Sequence, residues 1–243
     1  MTLLALLQAR NEERFLPGWL ANVGEFVDGI VAVDDGSDDA TADILEAHPK
    51  TVELIRKPRS DHWDERGNQM ALIKAGRRHG ATWFFCMDAD ERAEQRFSAD
   101  VAALIARADH EGVDAYSLRL RELWGDRGHY RIDGVWGGKA RYRLFRNNPE
   151  HRRFDPRPLH RSWIPLEIVA NLDRAALHSG YNLYHLGMIR REDRAARHAR
   201  YKALDPESRF QAQGYDYLVD ETGLQLAAVP ADRDFVPVCD PAL

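Results

Sequence analysis

The chain has 243 residues, of which 44% are hydrophobic and 30% charged, with a formal net charge of -5. This balance suits a folded domain with a sizeable core, and it excludes wholesale disorder and any global attraction to nucleic acid or anionic lipid. No apolar run approaches the roughly 18 residues of a membrane helix, and the two cysteines, Cys86 and Cys239, have neither zinc nor disulfide spacing.

The first half alternates short apolar runs with amphipathic segments. Leu3 to Leu7 reads as a buried strand; it lacks a basic leader and meets Arg10, Asn11, Glu12 and Glu13 at once, unlike a signal peptide. A helix is expected from about Pro17, with Leu16, Leu20 and Val23 facing inward. Gly29 to Val33 is a second buried strand, stopped by Asp34-Asp35-Gly36-Ser37. A helix from about Asp39 to Ala47 follows, with Ser37 to Asp39 as capping candidates, and Val52 to Ile55 makes a third strand. Another helix runs from about Glu65 to His79 and stops at Gly80. Thr82 to Met87 is a fourth strand that ends in Asp88-Ala89-Asp90-Glu91.

Strand and helix in alternation call for an α/β fold with a mostly parallel central sheet flanked by helices. Ligands in such sheets sit beyond the carboxyl ends of the strands. Two of those ends carry clustered aspartates. Later, Ser98 is a cap for an alanine-rich helix ending before Gly112, and Ala115 to Leu120 reads as a strand. Tyr130 to Trp136 and Ala140 to Phe145 suggest a hairpin over Gly137-Gly138. Asn147 to Pro165 reads as a loop, Asn182 to Leu186 as a last strand, and Glu192 to Leu204 as a charged surface helix. A single domain with a mobile acidic tail from Asp216 fits this pattern.

Charge is distributed unevenly. Lys139 to Arg161 holds eight Lys or Arg against two acids, Glu150 and Asp155. Such a stretch faces either an anionic substrate or solvent. Asp88-x-Asp90 is a short motif, but its place directly after an apolar strand matters: carboxylates gathered there repel one another unless a cation or donors compensate. A helix cap or a surface turn would use the same residues without chemistry. In the cluster at residues 33–41, a carboxylate can accept from a base N–H or a ribose hydroxyl, and Gly36 lets the chain turn. Trp124, Trp136, Tyr142 and Trp163 are candidates either for stacking on a sugar or base or for the core. Walker, G-x-G-x-x-G, G-x-S-x-G and H-E-x-x-H motifs are missing.

Together these segments resemble family 2 glycosyltransferases of the GT-A fold. The matching pieces are Ala9-Arg10-Asn11-Glu12-Glu13, residues 33–41, Asn68, and Trp83 to Glu91, read as WFFCMDADE; Arg143-Leu144-Phe145-Arg146 and Pro158-Leu159-His160 extend the match. The resemblance implies one GT-A domain over 1–243, with a nucleotide-binding half (1–95), an acceptor-side half (96–215) and the acidic tail (216–243). It implies that Asp34 or Asp35 reads the nucleoside, uridine, that Ala9 lines that pocket with Asn11 and Asn68 nearby, and that Glu12 braces it. Asp88 and Asp90 would hold Mn2+ or Mg2+ against the donor diphosphate, with His185 on the same metal or, equally, a core residue. The implied reaction moves a sugar from a UDP-sugar to an acceptor hydroxyl with inversion, the acceptor being a glycan, a lipid-linked glycan or a small molecule, and nucleic acid the least supported partner. Relatives carry Glu or Asp after the histidine where this chain has Arg161. Asp155 and His160 are then the nearest base candidates, unless they anchor the loop. The rivals are a nucleotidyltransferase, disfavoured by the lack of glycine in Arg10-Asn11-Glu12-Glu13, and a non-catalytic nucleotide-sugar-binding protein. A cytoplasmic location is expected, with peripheral membrane contact left open.

Overall fold

The computed structural model describes residues 1–61, 64–157, 162–240 and 242–243. The chain runs β1 (Leu3–Ala9), α1 (Leu16–Val23), β2 (Gly29–Asp34), α2 (Thr41–Ala47), β3 (Thr51–Arg56), α3 (Glu65–Arg78), β4 (Trp83–Cys86), β5 (Glu91–Ala93) and α4 (Gln95–Glu111). It continues through β6 (Ala115–Glu122), β7 (His129–Arg131), β8 (Ala140–Arg146), α5 (Leu166–Val169), α6 (Leu172–Ala175), β9 (Ala176–His185), α7 (Arg191–Leu204) and β10 (Leu226–Ala228).

Eight strands form the main sheet, in the order β3-β2-β1-β4-β8-β6-β9-β5. The first four in that order are mutually parallel, as the βα alternation requires, while β8 lies antiparallel between β4 and β6. Side chains on β1 alternate between the two faces with the period of a strand. Leu3, Ala5 and Leu7 pack with Trp19, Val23 and Leu104 from α1 and α4. Leu4 and Leu6 pack with Leu72 and Ile73 of α3. Both faces are therefore covered, which is why β2 is buried along its whole length.

Three expectations are corrected. No hairpin joins Tyr130 to Phe145: β7 pairs with β10 in a separate two-stranded ribbon, and β8 is drawn into the main sheet. Trp124 and Trp136, open between stacking and the core, are buried together beside Tyr217 in a satellite core. Ser98 does not cap; α4 begins at Gln95, where Glu94 carbonyl accepts the first amides. The acidic segment from Asp216 is packed onto the domain through Leu218, Phe235 and Ala242. Its firmest tie is Asp240, whose carboxylate meets Arg92 Nε at 2.7 Å with both side chains fully enclosed.

Removing one partner of an enclosed ion pair strands the other charge in a poorly solvated site. Asp240→Ala should therefore cost roughly 3–5 kcal/mol of stability, read as a lower midpoint in urea. An unchanged midpoint would show that the tie contributes nothing.

Candidate active site

Loops from the carboxyl ends of β1, β2 and β4 meet on one side of the sheet, and a cavity of about 700 Å³ opens there. The β1 and β2 loops are laced to each other. Asn11, at φ 58°, donates its amide to Ser37 and accepts from Asp38, a backbone region asparagine tolerates better than most residues. Arg10 Nη2 lies 2.5 Å from Asp35 Oδ2. Gly36, at φ 78°, passes so close to Arg59 that a Cβ would sit 2.4 Å from its Cα.

From β4 the chain carries Asp88 and Asp90 to the cavity wall, where Glu12 also lies. Asp88 is about half exposed and is held at 2.7 Å by Arg143 Nη2. Arg143 also meets Glu91 at 2.5 Å. It occupies a bulge in the β6–β8 pairing, the kind of irregularity that re-aims a side chain beside a site. Asp90 is nearly enclosed, and its Oδ2 accepts from His185 Nε2 at 2.9 Å and Arg197 Nη2 at 2.6 Å. His185 turns its other nitrogen, Nδ1, to Glu122, which in turn faces Lys139 Nζ at 3.1 Å. Gly187 lets these groups close up, because a Cβ there would stand 2.3 Å from Asp90 Oδ2 and 2.6 Å from Arg197 Nη2.

Burial alone would push Asp90 up, but His185 and Arg197 outweigh it and hold the carboxyl well below its usual range. Burial would likewise lower His185, yet Asp90 and Glu122 push it up to about 10. At neutral pH it is an imidazolium. Glu12 moves the other way: burial first, then the negative field of Asp90 and Asp88, push it up to about 8 against the pull of Arg197 and Arg200. Negative potential at this end of the cavity is therefore not fully cancelled by the protein's own cations.

Asp88 and Asp90 offer hard oxygens of the kind divalent cations prefer, with Glu12 on the same wall. Among the described residues, no group of three or more His, Cys, Asp or Glu is arranged to hold a metal ion by itself. The set fits an ion that takes one or two protein carboxylates and completes its shell with substrate phosphates, the usual habit of Mg2+. It does not fit an all-protein cage.

The other expected residues are placed as follows. Asp34 is buried and caps the turn by accepting from Ser37 N–H, and Ala9 is buried at the end of β1. Asn68 is fully enclosed, with neither side-chain polar atom partnered among the described residues. Asp155 lies outside the cavity wall: its carboxylate is bound by Arg157 and by the Ser162 amide. Against burial, those hydrogen bonds hold it at about 2, which suits an anchor of the loop better than a proton acceptor. His160 and Arg161 fall outside the described residues. Tyr142 and Trp163 do line the cavity. The residues not foreseen are Glu122, Gly187, Arg197 and Arg200. The one available signal was Glu122, an acid at the end of a strand, although that strand alternates apolar residues with Arg119 and Arg121.

Sheet order and the acidic loops at its strand ends define the GT-A architecture of nucleotide-diphospho-sugar transferases. The model of Glycosyl transferase family 2 matches residues 6–163, and the chain belongs to that family. It is 29% identical to uncharacterised proteins of Mycobacterium tuberculosis and Mycobacterium bovis over 92% of its own length, and it spans 57% of theirs. Two solved structures share its fold. The mannosyltransferase PcManGT from Pyrobaculum calidifontis, in complex with GDP-Man and Mn2+, aligns with TM-score 0.55 and 16% identity, over 83% of this chain and 61% of that one. TarS of S. aureus aligns with TM-score 0.54 and 13% identity, over 88% and 44%.

Because His185 is raised above its ordinary value, the stability it contributes is fully present below about pH 6.5 and lost as pH climbs through about 10. The urea midpoint should fall across that window, and the fall should shrink in His185→Gln. A midpoint indifferent to alkali would contradict the charged Asp90–His185 pairing.

Proposed function

We propose that this chain transfers a sugar from a nucleotide-diphosphate donor, UDP-linked, to an acceptor hydroxyl, assisted by Mn2+ or Mg2+ and with the inversion the sequence resemblance implies. The observation that carries this reading is the arrival of Asp88, Asp90 and Glu12 from two adjacent parallel strands at one cavity wall. Family membership and the fold shared with a mannosyltransferase solved with GDP-Man and Mn2+ support it.

Asp88 and Asp90 would hold the cation, Asp88 kept in place by Arg143. His185, whose Nε2 is engaged by Asp90, would be the further ligand that the resemblance implies; Glu122 on its Nδ1 is the usual support of a metal-binding imidazole. When bound, the ion supplies Lewis-acid stabilisation of the charge that grows on the departing diphosphate. Asp34 or Asp35 would bind the nucleoside beside Ala9, with Asn11 nearby. Asn68 supports that role, because an enclosed amide, here without a partner among the described residues, costs about 1–3 kcal/mol unless a ligand or water satisfies it. The acceptor, a glycan, a lipid-linked glycan or a small molecule, enters from the side of β8 and α7.

Titration calorimetry with UDP, GDP and their sugars, with and without Mn2+, tests the reading; binding of none of them would end it. Asp90→Asn, checked for fold by circular dichroism, should lose roughly a hundredfold or more in donor turnover, the equivalent of a few kcal/mol of barrier. Mn2+ binding followed by paramagnetic resonance should tighten as pH rises through neutrality, because the ion displaces the His185 Nε2 proton. Full turnover by Asp90→Asn would remove the metal role.

A further inference from the structure

The described part of the basic stretch holds seven Lys or Arg, and the structure accounts for six of them with carboxylates. Lys139 faces Glu122, Arg143 faces Asp88 and Glu91, and Arg146 faces Asp109 and Asp114. Arg152, Arg153 and Arg157 meet Glu150, Glu167 and Asp155. Arg141 is different. It is exposed, lines the cavity, and among the described residues its guanidinium bonds only to the Ala140 carbonyl. From α7, Arg200 shares this condition: exposed, on the cavity lining, over the ring of Tyr201 at 5.3 Å, with no carboxylate partner among the described residues.

Charge of both signs is thus left over on the cavity lining. On the donor half, Glu12 and Asp61 have no ion pair within 4 Å among the described residues, although Arg197 and Arg200 pull on Glu12 through the cavity. On the acceptor-side half the leftover charge is positive. Arg141 stands two residues along β8 from Arg143 and acts electrostatically on Tyr217, which lines the same cavity. With Arg143 committed to Asp88 and Glu91, Arg141 is left for a further anion in that space.

We propose that the acceptor carries an anionic group, a phosphate or a carboxylate, and that Arg141 with Arg200 recognises it; this rests on the donor reading above. Arginine suits the task because its planar fork matches either oxyanion in a two-point contact and stays charged at any working pH. Among the described residues no carboxylate competes for the Arg141 fork, so binding there breaks no ion pair with them.

Calorimetric titrations of the whole chain with glucose 6-phosphate, glucuronate and methyl glucoside, each with and without UDP and Mn2+, test the idea. One or both anionic sugars should bind at least about tenfold more tightly than methyl glucoside, as expected when a charge-assisted contact is gained. Added salt should erode the advantage. The preferred anion tells phosphate from carboxylate. Arg141→Gln should abolish the preference and Arg200→Gln weaken it, whereas Lys202→Gln, an exposed cation already paired with Asp216, should keep it. Equal binding of the three probes by the unaltered chain, or a preference that survives Arg141→Gln, would overturn the proposal. If instead UDP and GDP fail to bind, it is the donor reading that falls.

Discussion

One carboxylate oxygen, Oδ2 of Asp90, holds together parts of the chain that are far apart in sequence. It accepts from His185 at the end of β9 and from Arg197 in the middle of α7, so the loop after β4 is tied to the last strand of the main sheet and to the helix beyond it. Three charged groups in a nearly dry site are costly unless each is satisfied. Here Glu122 completes the set on His185, Lys139 completes Glu122, and the absence of a side chain at Gly187 permits the approach. Around Asp90 these five groups thus satisfy one another.

The neighbouring wall is built by the same logic at smaller cost. Asn11 and Arg10 bind the β2 loop, and Glu13 accepts from the Ala40 amide at the entrance to α2. The loops of β1 and β2 thereby form one platform. Against it, the fourth strand delivers Asp88 under the control of Arg143. A site assembled from three loops on a covered sheet keeps its geometry because every loop is short and cross-braced, while its chemistry stays with a few carboxylates.

The basic stretch shows how a compositional feature divides once it is folded. Most of its arginines are structural: Arg146 fastens β8 to Asp109 and Asp114, Arg153 holds Glu167 at the start of α5, and Arg157 closes on Asp155. Asp155 is consumed in that contact, so an acid that looked available for proton transfer is a loop anchor.

What the sequence by itself determined is the order of elements and the identity of the acidic strand ends. Buried strands such as Gly29–Asp34 and helices such as Glu65–Arg78 are written in local periodicity, Asp64 caps the latter, and Asp88 and Asp90 follow an apolar run that can only be interior. Tertiary structure alone decided the partners. That β8 leaves Tyr130 to join β4 and β6, that the acidic tail locks onto Arg92, and that Arg197 reaches Asp90 across 107 positions are outcomes of long-range pairing. Local pattern records which face of an element is apolar. It carries no information about which distant charge will be enclosed beside it, because that choice is made by the free energy of the whole packed arrangement.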